Sequence, residues 1–228
     1  MQQTFSIAID GPSAAGKSTI AKAIAQQTGA LYLDTGAMYR AMGLYMLRND
    51  VDPRDVDAVL LRLDEPRITV AHVDGVQRIF LFDEDVSDAI RSHPVSAAAS
   101  AVSAVPQVRV KLVQMQREIA AGLNVVMDGR DIGTHVLPNA TLKIMLVASP
   151  EVRARRRFDE LQSRGTPEAY EKVLADMTQR DHDDSTRAAS PLKRADDAIE
   201  LDSGDMTVDQ VVQQVLALLS QRLGGAAR

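Results

Sequence analysis

Gly11-Pro-Ser-Ala-Ala-Gly16-Lys17-Ser18 fits the pattern of two glycines with four residues between them, followed by lysine and a hydroxyl residue. Glycines at both ends allow backbone angles closed to other residues, so the N–H groups of Ser13, Ala14 and Ala15, which follow Pro12 in the loop, can turn toward one anion. Lys17 adds a point charge for β- and γ-phosphates, and Ser18 a hydroxyl for Mg²⁺. Thr19 follows in the first turn of the next element. The motif specifies a nucleoside triphosphate site without specifying a reaction. The guanine-reading Asn-Lys-x-Asp of GTPases is absent from the chain.

Arginines form the second group. Moving a phosphoryl group between two polyanions needs charge neutralisation, and the planar guanidinium binds phosphate through two bonds while keeping its charge. Arg40, Arg109, Arg130, Arg180 and Arg187 stand near strand exits, on a helix and around Asp181, Asp183 and Asp184. Arg153, Arg156 and Arg157 have the spacing of one helical face, where like charges repel unless an anion joins them. Arg155 and Arg164 read as salt-bridging surface residues. Asp181–Asp184 with His182 does not read as a metal cluster, because Mg²⁺ needs few protein ligands. His72, His93 and His135 read as structural.

The elements that carry these residues alternate between strand and helix. Phe5–Asp10, Leu31–Asp34, Asn124–Asp128, Leu142–Ala148 and Ala198–Asp202 are short apolar runs suited to buried parallel strands. Helical periods cover 17–28, 37–49, 96–122 with a break at Pro106, 150–164, 166–181 and 206–223, and 224–228 reads as a frayed tail. Between them, 67–73 and 76–82 alternate around Asp74-Gly75, a strong hairpin signal. The fold class is therefore α/β: a three-layer phosphate-loop fold with a parallel sheet of about five strands and a small antiparallel insert. Ligands of such sheets bind beyond the carboxyl ends of the strands. Asp10, Asp34, Asp128 and Asp202 each end a strand, and either a site or ordinary turn formation accounts for them. Asp128 could order Mg²⁺-bound water.

Composition narrows the class. The chain has 228 residues, 45% hydrophobic and 25% charged, which suits one domain over 1–228. A net charge of −5 supplies no global basic field for nucleic acid or anionic membrane. Aromatic residues make up 4% and tryptophan is absent, against a stacking platform for single strands. Cysteine is absent, which excludes disulfides and fits the cytoplasm. No signal peptide or membrane-length apolar run is seen.

Four motifs together resemble the bacterial cytidylate kinases, among the nucleoside monophosphate kinases: the phosphate loop, Leu33-Asp34-Thr35-Gly36-Ala37-Met38-Tyr39-Arg40, Asp128-Gly129-Arg130-Asp131-Ile132-Gly133-Thr134, and Arg180-Asp181-x-x-Asp184-x-x-Arg187. The resemblance spans essentially the whole chain. It implies a core (1–60 and 120–228), an acceptor-binding insert near 61–119 and a helical lid near 150–187. It implies transfer from ATP with Mg²⁺ to CMP or dCMP, a step of pyrimidine metabolism, by an enzyme expected to be a monomer. By resemblance Arg40, Arg130 and Arg180 hold the acceptor phosphate, and Ser100, Arg109 and Asp131 read cytosine. Thr35, Asp184 and Arg187 hold the sugar and its surroundings, with Asp34 and Tyr39 of the same run also on the acceptor. Arg153, Arg156 and Arg157 lie in the lid over ATP. Thr35 departs from the serine also associated with its position, and either residue offers a hydroxyl. Phosphorylation of another acceptor (UMP, AMP or a metabolite hydroxyl such as that of shikimate) and ATP binding without transfer stay open on the residues alone.

Overall fold

The computed structural model describes residues 4–163 and 165–225. Its elements in chain order are β1 Ser6–Asp10, α1 Lys17–Thr28, β2 Leu31–Asp34, α2 Thr35–Arg48, α3 Val56–Leu61, β3 Ile68–Val73, β4 Val76–Leu81, β5 Glu84–Asp85, α4 His93–Ser103, α5 Pro106–Ala120, β6 Val125–Gly129, β7 Leu142–Val147, α6 Pro150–Ser163, α7 Tyr170–Thr186, β8 Ile199–Asp202 and α8 Val208–Gly225. The chain divides into two compact units, one made of the chain through Tyr32 and from Gly122 onward, the other of Leu33–Ala121.

The main sheet has five strands in the order β2-β6-β1-β7-β8. β1 runs parallel to both β6 and β7, with Ile9 beside Asp128 and Ile144, and β7 runs parallel to β8. These strands are short apolar runs because both faces are covered. Ile7, Ile9, Val126, Leu142 and Ile144 pack with Ile20 and Ile24 of α1 and with Val211, Val212 and Val215 of α8. α1 begins where its apolar period begins and ends at Gly29, whose φ of 68° lets its N–H turn back to the Ala25 carbonyl.

In the Leu33–Ala121 unit, Met38, Met42 and Met46 of α2 form the spine of a second core with Val102, Leu112, Ile79 and Leu81. Gly43 lets α2 approach α4 closely: a Cβ there would lie 2.8 Å from the Ala99 backbone nitrogen. β3, β4 and β5 make a separate antiparallel sheet. Asp74 and Gly75 both adopt positive φ at the hairpin tip, the geometry that Asp-Gly favours.

Several boundaries differ from the sequence pattern. α2 starts at Thr35 because the Asp34 carboxylate accepts from the Ala37 N–H and caps it there. α4 starts at His93, since Pro94 is compatible with a first turn. α7 covers 170–186 rather than 166–181. Gly224 is part of α8 instead of a frayed tail, and 226–228 lie outside the described residues. The short α3 and β5 carry too little periodicity to be seen in the sequence. No described helix is long and apolar enough to cross a membrane.

Candidate functional site

The phosphate loop lies between β1 and α1, as its motif requires. Gly11 has no room for a side chain: a Cβ would stand 2.1 Å from the Leu146 carbonyl oxygen. Ala14 and Gly16 have positive φ, 58° and 92°, and successive left-handed turns are how such loops aim N–H groups at an anion. Gly16 caps α1 without any side-chain bond, leaving the first-turn donors of the helix to a ligand. Pro12, Ser13, Ala15 and Thr19 complete the stretch, with Ala15 fully buried and Thr19 exposed.

Lys17 is buried and its Nζ donates to the Pro12 carbonyl at 2.7 Å. Burial, reinforced by the positive charge of Arg130, pulls its pKa down to about 7. Ser18 Oγ donates to Asp128 Oδ2 at 2.8 Å. A serine whose O–H donates a hydrogen bond still presents lone pairs, and a hydroxyl backed by a carboxylate is the hard oxygen set that Mg²⁺ takes. The pair therefore fits the ion.

Asp10 has a role that sequence reading missed. Its carboxylate accepts from the Ile132 N–H at 2.7 Å and the Gly133 N–H at 2.8 Å. It thereby clamps the turn 132–136, a π-helical turn that follows Arg130 and Asp131. Burial raises its pKa to about 6 against the lowering effect of those two bonds. No local signal marks this contact, which spans over a hundred residues of chain. Of the other strand-end carboxylates, Asp34 caps α2 and binds Arg40, and Asp202 accepts from the Gly204 N–H in a turn.

Arg130 is the centre of the first unit's charge network. Its Nη2 donates to Ser13 Oγ of the phosphate loop and its Nε to Asp184 Oδ2, both at 2.8 Å. Arg187 Nη1 stands 3.5 Å from the other Asp184 oxygen. Burial alone would raise the Asp184 pKa, but Arg130, with Arg180 and Arg187, holds it below the usual carboxylate value. Asp131 is buried and its carbonyl accepts from the His135 and Val136 N–H groups.

The α6 arginines reach separate partners within the protein. Arg153 is buried against Asp181 at 2.7 Å and donates to the carbonyls of Ala148 and Ser13. Arg156 donates to the Ser203 carbonyl at 2.6 Å, and Arg157 pairs with Glu160 at 2.7 Å. Side chains of this length splay from a common face to separate partners, which removes the expected repulsion. Arg155 lies over the rings of Phe158 and Tyr170, at 5.5 and 4.8 Å, in place of an expected surface salt bridge. Arg164 lies outside the described residues.

The Leu33–Ala121 unit holds its own set. Arg40 Nη2 donates to Asp34 Oδ2 at 2.6 Å, while Gln77 of β4 bonds both the N–H and the carbonyl of Asp34. Thr35 is buried at the start of α2. Arg109 is buried on α5, donates to the Ser103 carbonyl at 3.2 Å and lies 5.3 Å from the Tyr39 ring. Ser100 is half-buried on α4.

A family model for cytidylate kinase matches residues 7–221. The chain belongs to the cytidylate kinase family. Relatives include the cytidylate kinases of Caldicellulosiruptor bescii, 50% identical over 94% of this chain and 95% of that one, and Mycobacterium avium, 51% identical over 95% of each. That of Geobacillus kaustophilus is 46% identical over 98% of this chain and all of its own length. Among solved structures, a gluconokinase from Sinorhizobium meliloti superposes with a TM-score of 0.52, covering 98% of this chain and 95% of that one at 13% identity. At that identity the likeness speaks to fold alone. In this cytidylate kinase family member, the phosphate loop and the Arg130 network stand in one compact unit.

Proposed function

We propose that this protein transfers the γ-phosphate of ATP to CMP or dCMP, giving ADP and CDP or dCDP. The observation that carries this reading is Arg130, a partly buried guanidinium bonded to Ser13 of the phosphate loop. It puts a phosphate-binding cation directly beside the donor loop, where charge develops during transfer.

Residues 11–19 bind the ATP phosphates, and Lys17 leaves the Pro12 carbonyl to meet the β- and γ-oxygens. Ser18 would hold Mg²⁺ directly and Asp128 through a water, and the ion when bound neutralises phosphate charge. Arg40, Arg130 and Arg180 hold the acceptor phosphate. Asp131, Ser100 and Arg109 read the base, Thr35, Asp184 and Arg187 the sugar, with Asp34 and Tyr39 bracing the same run. The acceptor phosphate is already anionic at neutral pH, so it attacks once positioned and needs no dedicated base. In this reading 61–119 form the acceptor-binding insert. Residues 150–187 form a lid, with Arg153, Arg156 and Arg157 over ATP, that excludes water and limits wasteful hydrolysis. The enzyme works on free nucleotides, as a monomer in the cytoplasm.

A coupled ADP-release assay tests this with MgATP and CMP, dCMP, UMP, AMP or shikimate. Turnover with CMP and dCMP far above the rest is expected. Turnover highest with another acceptor reassigns the substrate, and ADP release with none leaves an ATP-binding module. Lys17→Ala is expected to lower kcat by roughly 10²- to 10³-fold with the circular dichroism spectrum unchanged. Near-normal turnover would refute the role of Lys17.

A further inference from the structure

Tyr32 is a buried residue of β2, outside every motif of the phosphate loop and its arginines. Its hydroxyl donates to Asp128 Oδ1 at 2.8 Å. Ser18 Oγ donates to Asp128 Oδ2, also at 2.8 Å. One carboxylate thus receives a hydroxyl on each oxygen, from residues 96 and 110 positions away. The Lys22 ammonium lies 5.6 Å from the Tyr32 ring centroid and adds a second restraint to the ring.

The chemistry of the hydroxyl gives this arrangement a direction. Serine has one proton and two lone pairs. While its O–H points at Asp128, its lone pairs face away from the carboxylate and can meet a cation. That orientation lasts only as long as the carboxylate holds still, and a hydroxyl bonded to its second oxygen resists rotation about its last torsion. Tyr32, with two side-chain torsions and a packed ring, supplies the second anchor.

We propose that Tyr32 is a positioning residue for Mg²⁺-dependent ATP binding: its hydroxyl locks the Asp128 carboxylate so that Ser18 presents its oxygen to the ion. The inference rests on the reading of Ser18 and Asp128 as the metal-binding pair. Partners that orient a ligand in this way typically contribute 10- to 100-fold to metal affinity.

The test is calorimetric titration of the full chain with ATP, once in excess Mg²⁺ and once in EDTA, on wild type, Tyr32→Phe, Asp128→Asn and Ser18→Ala. Tyr32→Phe removes one oxygen and keeps the ring, and thermal melting checks that the fold is retained. Tyr32→Phe is expected to weaken ATP binding roughly tenfold in Mg²⁺ and by less than about twofold in EDTA. Asp128→Asn is expected to weaken the Mg²⁺ titration at least as much. Equal weakening in Mg²⁺ and EDTA would mean that Tyr32 only supports the fold, and would overturn the proposal. If Asp128→Asn loses the Mg²⁺ preference and Tyr32→Phe keeps it, Tyr32 has no positioning role while the metal reading stands. If neither Ser18→Ala nor Asp128→Asn alters the preference, the metal reading itself fails and takes the proposal with it.

Discussion

Lys17 shows how burial prepares a side chain for a ligand. Its pKa of about 7 reflects loss of water first and the nearby Arg130 charge second, with Asp128 and Asp10 opposing. An incoming polyphosphate reverses that balance and favours the ammonium. ATP binding at pH 8 is therefore expected to take up protons. Titrations in buffers of different ionisation enthalpy should show this, and Lys17→Met should abolish most of the uptake. Asp131 is also buried. A buried carboxylate accepts from the exocyclic amine of cytosine and repels the carbonyl of uracil, and the mismatched base leaves polar groups unpaired. Asp131→Ala is expected to lower the CMP-over-UMP preference in kcat/KM by roughly 10- to 100-fold. An unchanged ratio would take the base-reading role from Asp131. Single residues within local motifs were legible because their chemistry is local: Gly11, Gly16, Lys17 and Ser18 act through a loop of contiguous chain. Asp10 and Tyr32 were not legible, since each acts on a residue far along the sequence.

The turn after β1 is an element whose shape rests on Gly11. With a Leu146 carbonyl oxygen 2.1 Å from any added Cβ, β7 and the loop must separate to admit a side chain. Gly11→Ala is expected to cost roughly 2–4 kcal/mol, read by urea unfolding, with ATP binding impaired in the folded fraction. A stability within about 0.5 kcal/mol of wild type would contradict the packing. The helices 150–163 and 170–186 illustrate what charge patterns conceal. Arg153 and Arg156 share a helical face in sequence, yet Arg153 is buried on Asp181 and Arg156 bonds Ser203, while Arg155, expected in a surface salt bridge, lies over Phe158 and Tyr170. Helical spacing specifies the face from which a side chain departs, and its length leaves the destination to whatever packs nearby. The hairpin of β3 and β4 was legible for the opposite reason, because Asp74-Gly75 sets its own turn.

Across the whole molecule, two buried titrating groups shape stability against pH. Asp10 has its pKa raised from 3.8 to about 6, so the folded state binds more protons than the unfolded one in that interval. Its contribution is fully present below pH 3.8 and is lost as pH rises through about 6. Lys17 is lowered from 10.5 to about 7, so the folded state binds fewer protons there, and its contribution is present at high pH and lost as pH falls through about 7. Without nucleotide, these two groups together favour the fold least near pH 6–7. Lys17→Met is expected to stabilise the nucleotide-free protein at pH 6, and the gain should shrink by pH 10; chemical denaturation at both values checks it. Read from the chain alone, the α/β alternation, the five apolar strands, the antiparallel insert, the phosphate loop and the family resemblance were all available, because each depends on neighbouring residues or a local period. Strand order, the pairing of Arg130 with Ser13 and Asp184, the clamp of Asp10 on the 132–133 amides and the two hydroxyls on Asp128 came only with the tertiary structure. These contacts join residues roughly 50 to 120 positions apart, and the buried carboxylates of Asp10, Asp128 and Asp184 take protein donors in place of water.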